Sequence, residues 1–423
     1  LGLGLDLDQT VEIAFERGRT LDWLGARIRG KAAFEIEPVV TFDATSARDH
    51  LGLLKAQIAL EPVPRNLRFD RGQVVETPSQ PGRAFDLDAT LLLLQRAPAQ
   101  VILAGHLDLV VSSVAPPEVN LAPFVDQANA WLANTLSVEV FDPITGRTVR
   151  WLAAPQQWAG WVSLAVDTAR LQEGTPALDW AFDTRAARTA LSAQMATWSV
   201  DGQLAVSAYV HLDAAADAMR EAVLQANWVV DLRAYHHGSK YTVRSGDTLS
   251  SISREVGIPY PWLEQANPGV SDHLSVGQVI DVPSPDVMLP LPVVKDKRIV
   301  VSIARQRMWA YQNGALVWEW VVSTGIPSSP TAPGIFQVQS HDGTAYAPSW
   351  DLWMPHFMGI YRPVPTSDFM NGFHGFPTRD GVSLLWTGNL GHPVTFGCIL
   401  LDTANAALLY DWAEDGVIVE IQE

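Results

Sequence analysis

The feature that most limits how this chain folds is a pattern that occurs twice. Phe42-Asp43, followed by Ala47-Arg48 and Leu51, returns 140 positions later as Phe182-Asp183, Ala187-Arg188 and Leu191. In each copy an Asp stands where a helix N-cap belongs, with its carboxylate available to the first unpaired amides, and apolar residues follow at helical spacing. A second helix start follows each copy, at Leu87-Asp88-Ala89 and at Leu212-Asp213-Ala214. Strand-like stretches come next, at 101–103 and 229–232. The helix-like stretch 124–136, then 136–140 and 148–152, introduces the second copy. Self-similarity at this offset predicts two α+β repeats of one plan, over 1–118 and 119–238.

At 423 residues the chain exceeds what one hydrophobic core holds and has room for several domains. Hydrophobic residues make up 48% of it and the mean hydropathy is +0.07, which predicts folded rather than disordered chain. No uninterrupted apolar run is long enough to span a bilayer. The run 91–94 is followed by Gln95 and Arg96 and reads as part of a core helix. The chain begins at Leu1 without a basic-then-apolar leader, which reads as a signal or anchor removed or a chain cut to its soluble part. A net charge of −17 and a pI near 4.9 argue against nucleic acid and anionic membrane as main partners. Neutral glycans and zwitterionic peptides remain. Cys398 is the single cysteine, which excludes an internal disulfide and any multi-cysteine metal site. It is either a buried small hydrophobe or a reactive thiol.

Residues 239–284 spell a compact unit. Tyr241-Thr242-Val243 reads as a strand and Ser245-Gly246 as a turn. Asp247 then caps a helix with Leu249, Ile252 and Val256 on one face and Gly257 as its left-handed stop. Pro261 suits the start of a second helix that ends before Asn267-Pro268. After Leu274 and the Gly277 turn, 279–283 closes the module as a strand, giving a βααβ order. The spelling Tyr-x-Val-x-x-Gly-Asp-Thr-Leu, with Leu263-x-x-x-Asn267 and Leu274-x-x-Gly-Gln-x-Ile-x-Val-Pro, closely resembles a LysM domain. That resemblance implies binding of N-acetylglucosamine-containing glycans in a shallow groove. Its walls would be Gly246, Asp247, Thr248 and Leu249 on one loop, and Ala266, Asn267 and Pro268 on the other. Backbone amides and carbonyls on tight turns can hydrogen-bond acetamido groups; the same residues also serve as turn and cap residues. The first 238 residues resemble the peptidoglycan-binding-like repeats found beside VanW-type and L,D-transpeptidase domains, with Phe15-Glu16-Arg17-Gly18-Arg19 as the opening element. Such repeats act as binders or as spacers. Stretch 285–296, with Pro285, Pro290 and Pro292 and no helical period, predicts a short extended linker.

Residues 297–423 alternate apolar β runs with turns. Asn313-Gly314 is a strong hairpin signal between 308–311 and 316–322. A strand at 336–338, a helix at 403–413 and a last strand at 417–421 complete a β-rich, β-sandwich-like domain. Cys398 follows Gly397, and His374 lies upstream beside Gly375. A thiol at its free pKa is only weakly ionised at neutral pH, and an imidazole within hydrogen-bond reach would take its proton. The amides of Gly397 and Cys398 would then face a developing oxyanion.

The spelling of this region resembles the L,D-transpeptidase catalytic domain of the YkuD type nearly end to end. The matching pieces include Val322-Ser323-Thr324-Gly325, Thr331-Ala332-Pro333-Gly334, Phe373-His374-Gly375, Leu390-Gly391-x-Pro393 and Thr395-x-Gly397-Cys398-Ile399. The resemblance implies attack on the carbonyl of the third residue of a stem tetrapeptide, release of D-Ala, and transfer of the acyl group to an amine of a neighbouring stem. It makes Cys398 the nucleophile and His374 the base, oriented by the Gly375 carbonyl, with no metal or organic cofactor. Thr395, Phe396, His356, Tyr361 and Trp386 become substrate-pocket candidates. Two positions depart from the family's Ser/Thr-His-Gly-Cys core and its Arg or Asn two residues beyond: Phe396 replaces the histidine and Leu400 the Arg or Asn. These departures leave three readings: a transpeptidase, an L,D-carboxypeptidase-like hydrolase, and an inactive wall-binding protein. Retention of Cys398, His374, Gly375 and Gly397 together favours catalysis. The expected setting is extracytoplasmic, at the cell wall or secreted. The expected partner is peptidoglycan, bound by a monomer, with no nucleic acid and no membrane contact within this chain.

Overall fold

The computed structural model describes residues 1–423 except 21–24, 26, 31–34, 168–176 and 271–272. The chain divides into two compact units: residues 1–133 with 162–182, and residues 134–161 with 183–423. The expected boundary at 118/119 does not coincide with this division, because 119–133 and 162–182 fall in the first unit.

In the first unit strand Leu3–Asp6 pairs antiparallel with Val39–Phe42, and helix Ala44–Ile58 follows. The Asp43 carboxylate caps that helix by accepting from the Thr45 and Ser46 amides, and Asp86 caps helix Leu87–Arg96 through the Ala89 amide. Ala47 and Leu51 of the repeated pattern are buried with Phe85, Leu91 and Leu94. The stretch 101–103, expected as strand, lies in helix Pro98–Ala104. Pro98 pre-sets the first helical turn and Gly105 closes the last in the left-handed conformation. Two good terminal signals thus outweigh the β preference of Val101 and Ile102. A further helix, Ala122–Leu132, packs near a small core of Leu67, Val119, Leu121 and Leu164.

In the second unit strands Leu136–Asp142, Arg147–Ala153 and Val229–Arg233 form one sheet, with Val229–Arg233 parallel to Leu136–Asp142. Helix Thr184–Val200, capped by Asp183, repeats the Asp43 geometry and buries Ala187 and Leu191. Strand Ser239–Thr242 pairs antiparallel with Val279–Val282, and helices Leu249–Val256 and Tyr260–Ala266 lie between them in sequence. Beyond lie two sheets. One runs in the order Ala315–Val321, Arg307–Gln312, Val294–Ser302, Val417–Gln422, Gly334–Gln337. The other is built on Leu352–Tyr361, flanked by Ser340–Ala347 and by Asn371–His374, which pairs parallel with Ile399–Leu400.

A single hydrophobic cluster joins the small βααβ module to these sheets: Leu249, Ile252 and Ile280 belong with Ile299, Phe336, Met358 and Phe373. The seam is closed by backbone. Gly257, the left-handed stop of its helix, lies against Gly334, and a Cβ on Gly334 would collide with the Gly257 carbonyl. The Trp262 indole donates to the Arg362 carbonyl (2.8 Å).

The Pro-rich stretch 285–296 is no free linker. Pro285–Met288 is a short 3₁₀ turn, Met288 and Leu289 are buried, and strand Val294–Ser302 has begun before it ends. Its anchor is charge. The Arg233 guanidinium donates to Asp286 (2.9 Å) and to the Leu289 and Leu291 carbonyls. The buried His236 ring lies 3.4 Å from Asp142 and 3.5 Å from Asp286. Burial alone would push this imidazole down, but hydrogen bonding and charge from Asp142 and Asp286 outweigh it and hold it at about 9. Both carboxyls lie below their usual range, since His236 and their other partners outweigh the burial that opposes ionisation.

A raised folded-state pKa contributes stability that is full below the ordinary value near 6.5 and is lost as pH climbs through about 9. His236→Gln is therefore expected to cost on the order of 3 kcal/mol at pH 6 and much less at pH 10. Denaturant titrations across that range check it; a cost independent of pH would contradict it.

Candidate active site

Four local devices hold the residues around Cys398. The Thr395 hydroxyl donates to the Cys398 carbonyl (2.6 Å) and accepts from the Gly397 amide (3.3 Å). The Thr331 hydroxyl donates to the Gly397 carbonyl (3.0 Å). The Thr324 carbonyl accepts from the amides of Val394 and Thr395. Gly397 itself has φ +114°, and a Cβ there would meet the Asn371 amide nitrogen at 2.7 Å. Only glycine fits both the conformation and the space.

His374 is the last residue of strand Asn371–His374, whose register sets Phe373 beside Ile399 and His374 beside Leu400. Side chains alternate along strands, so His374 and Cys398 fall on one face while Phe373, Ile399 and Leu401 point into the main core. Both line the same cavity of about 640 Å³. Its other walls include the turn 348–351 between strands Ser340–Ala347 and Leu352–Tyr361, together with Phe369, Leu384, Val394, Thr395 and Phe396. Cys398 is 7% exposed and His374 5%.

The imidazole is fixed by its own neighbour: Nδ1 lies 2.7 Å from the Gly375 carbonyl. A carbonyl only accepts, so Nδ1 carries the hydrogen and donates, and in the neutral ring Nε2 keeps its lone pair. Burial pushes His374 down to about 4, with the Gly375 bond opposing the shift. Burial pushes the Cys398 thiol up to about 11, with the Gly372 amide opposing it. Near neutral pH both groups are uncharged, a base and an acid facing one cavity.

The other candidates separate. Phe396 is 46% exposed and stacks on Trp350 of the cavity wall, ring centroids 5.6 Å apart and planes 14° apart. Leu400 is fully buried, and its main chain pairs with Ser323 on one side and His374 on the other. Tyr361 is buried behind the cavity, its ring stacked on Phe336 at 4.3 Å. His356 has φ +52° and lies near Tyr410, and Trp386 is 62% exposed; neither lines the cavity. The sequence alone gives no role to Asn371, Gly372 or Trp350, and places Thr331 only within a matching stretch. The available signal is a polar Asn371 three residues before His374, in a strand that the structure buries entirely.

In the βααβ module Leu249 is core, and Asn267 is buried as a clamp. The Asn267 amide donates to the Leu263 and Asp281 carbonyls and accepts from the Asp281 amide, each at 2.8 Å. Asp247 accepts from the Arg244 amide and from the Tyr241 hydroxyl, Thr248 caps its helix, and Ala266 is half-buried. Gly246 turns at φ +90°. Thr248 and Leu249 border an open depression with Ser250 and Tyr260. Among the described residues no cluster of three or more His, Cys, Asp or Glu suits a metal ion, and no helix is long and apolar enough to cross a membrane.

Comparison with known protein families gives the class. Residues 296–421 match the L,D-transpeptidase catalytic domain (YkuD), residues 241–283 the LysM domain, and residues 1–100 the "Putative peptidoglycan binding domain". The chain is thus a multidomain protein that joins a YkuD-type L,D-transpeptidase domain to a LysM domain and an N-terminal peptidoglycan-binding domain. Among individual proteins it is similar to "Putative L,D-transpeptidase YkuD" of Bacillus subtilis (strain 168), 26% identical over 181 residues, which are 43% of this chain and 97% of that protein. A 44-residue stretch is 52% identical to "Intracellular hyphae protein 1" of Colletotrichum lindemuthianum, covering 10% of this chain and 19% of that one. A solved L,D-transpeptidase (Yku) from Stackebrandtia nassauensis is 21% identical, with 31% of this chain matched to 58% of that chain at a TM-score of 0.25.

Gly397→Ala should lower the unfolding free energy by about 1–3 kcal/mol, because it combines a strained backbone with a collision against Asn371. Denaturant titration checks it, and wild-type stability would contradict the account of this turn.

Proposed function

We propose that the chain is a cysteine-dependent L,D-transpeptidase acting on peptidoglycan stem peptides, with Cys398 as nucleophile and His374 as base. One observation carries this reading: the Gly375 carbonyl holds His374 in the tautomer whose basic nitrogen is free, in the cavity that Cys398 also lines. The chemistry then runs in two halves. When the carbonyl of the third stem residue reaches the sulfur, the thiol proton passes to Nε2 and the thiolate attacks. The amide bond to D-Ala breaks, and the leaving amine takes the proton from the imidazolium, which leaves a thioester on Cys398. An amine of a neighbouring stem then gives its proton to His374 and displaces the sulfur, which is reprotonated. The Cys398 and Gly397 amides would stabilise the oxyanion, the latter exchanging its long bond to Thr395.

The largely apolar lining, which also carries Asp351 and Arg379, supports transfer to an amine over hydrolysis. Phe396 and Trp350 form a stacked wall over the acyl donor where the family carries a polar residue. Leu400 supports the strand pair and is too buried to reach substrate. The LysM module and the N-terminal domain hold the enzyme on insoluble wall glycan, which raises the local concentration of stems. With Leu249 and Asn267 buried, contact with the glycan falls to the Gly246–Thr248 turn and main-chain groups beside Ala266. Extracytoplasmic placement and a monomeric state complete the reading.

Incubation with a stem tetrapeptide or a carbapenem should add one acyl group, seen by intact mass, and Cys398→Ala should abolish it. His374→Ala should slow acylation by roughly 10²–10⁴-fold. Because His374 must be neutral to accept a proton, the acylation rate should hold as pH falls and drop only near its lowered value of about 4. An adduct that survives in Cys398→Ala, or an acid limb near pH 6.5, would overturn the reading.

A further inference from the structure

Asn371 has no part in the chemistry above, yet its side chain is hydrogen-bonded to the sulfur of Cys398. The Cys398 thiol donates to its carbonyl oxygen across 3.7 Å. Its amide nitrogen donates to the Tyr361 hydroxyl at 3.0 Å, and the same hydroxyl accepts from the Ala332 amide at 3.0 Å. Thr331, next in the chain, ties the Gly397 carbonyl. A closed ring of bonds therefore runs from sulfur to Asn371, Tyr361, the 331–332 segment and back to the turn that bears the sulfur. His374 stands outside this ring, held by Gly375. The Asn371 amide cannot turn easily, because Gly397 packs directly on it and Tyr361 is pinned against Phe336.

We infer that Asn371, locked by Tyr361, is the positioning residue for the Cys398 thiol, holding the resting sulfur protonated and in one place until an acyl donor enters the cavity. This rests on the reading of Cys398 as nucleophile. The physics has a definite sign. A carbonyl oxygen facing sulfur favours S–H and repels S⁻, whereas the Gly372 amide on the same sulfur favours the thiolate. The bond to be surrendered is weak, since a thiol is a poor donor, so the proton can pass to His374 at small cost. The gain is protection: a thiol kept neutral resists oxidation and alkylation between turnovers.

The test is the pH profile of Cys398 alkylation by iodoacetamide on the full chain, followed by intact mass. Asn371→Leu removes the acceptor and should move the midpoint down by roughly one unit, about tenfold faster alkylation at a fixed pH below it. Asn371→Asp keeps an oxygen toward the sulfur and should leave the midpoint where it is or raise it. Tyr361→Phe frees the amide and should shift the profile in the direction of Asn371→Leu by a smaller amount. Opposite behaviour of the Leu and Asp variants is something a packing role alone would not produce. Parallel shifts in both, or unmoved profiles with only a lower melting temperature, would overturn the inference. Should Asn371→Leu fail to fold, an unmoved profile in Tyr361→Phe overturns it instead. Stem-peptide acylation, measured separately on the wild type, reports on the transpeptidase reading; its failure leaves the alkylation result standing.

Discussion

The hydrogen bond from His374 Nδ1 to the Gly375 carbonyl is the constraint on which the site depends. An imidazole is useful to a buried thiol only if its lone pair points to the shared cavity, and a neutral ring has two tautomers to choose from. A main-chain acceptor decides between them without introducing a charge. A carboxylate in that role would raise the imidazole's affinity for protons and favour an ion pair with the thiolate. Here burial drives both groups toward neutrality, His374 down and Cys398 up, so both rest uncharged beside one cavity. The backbone that makes this possible comes from pairing: Asn371–His374 lies against Ile399–Leu400, and the Leu401 amide donates to the His374 carbonyl.

Burial of this kind gains selectivity and loses intrinsic reactivity. A thiol pushed up to about 11 is a poor nucleophile toward casual electrophiles, and the 348–351 turn and Phe396 line the cavity it faces. The proposed part of Asn371 extends that logic to the sulfur itself. The continuous core between the LysM module and the catalytic sheets adds a second consequence. With Gly257 against Gly334 and Trp262 bonded to Arg362, the module and the catalytic sheets are packed as one body rather than joined by a tether. The 285–296 segment contributes to this, since Arg233, Asp286 and His236 bind it down where its prolines alone suggested a loose connector.

Sequence was informative where function writes itself in local spelling. Asp43 and Asp183 cap their helices through short-range hydrogen bonds, and the Asn313-Gly314 turn joins its two strands with both residues at positive φ. Gly397 and Gly375 adjoin Cys398 and His374 in the chain, so their contacts with them follow from adjacency. What escaped depends on distance along the chain. Asn371 meets Cys398 only because two strands are in parallel register, and Trp350 meets Phe396 only because a hairpin turn folds over the cavity. The stretch 101–103 went astray because its β-branched residues were weighed without their flanking Pro98 and Gly105. The segment 285–296 misled because proline content says nothing of the charges that await it.

The most direct measurement is the tautomer and charge of His374, read by long-range ¹⁵N–¹H correlation NMR on uniformly labelled protein between pH 4 and 8. A neutral ring with hydrogen on Nδ1 and a bare Nε2, persisting until the pH approaches about 4, is the expected result. Hydrogen on Nε2, or an imidazolium at neutral pH, would contradict it and leave Cys398 without its base.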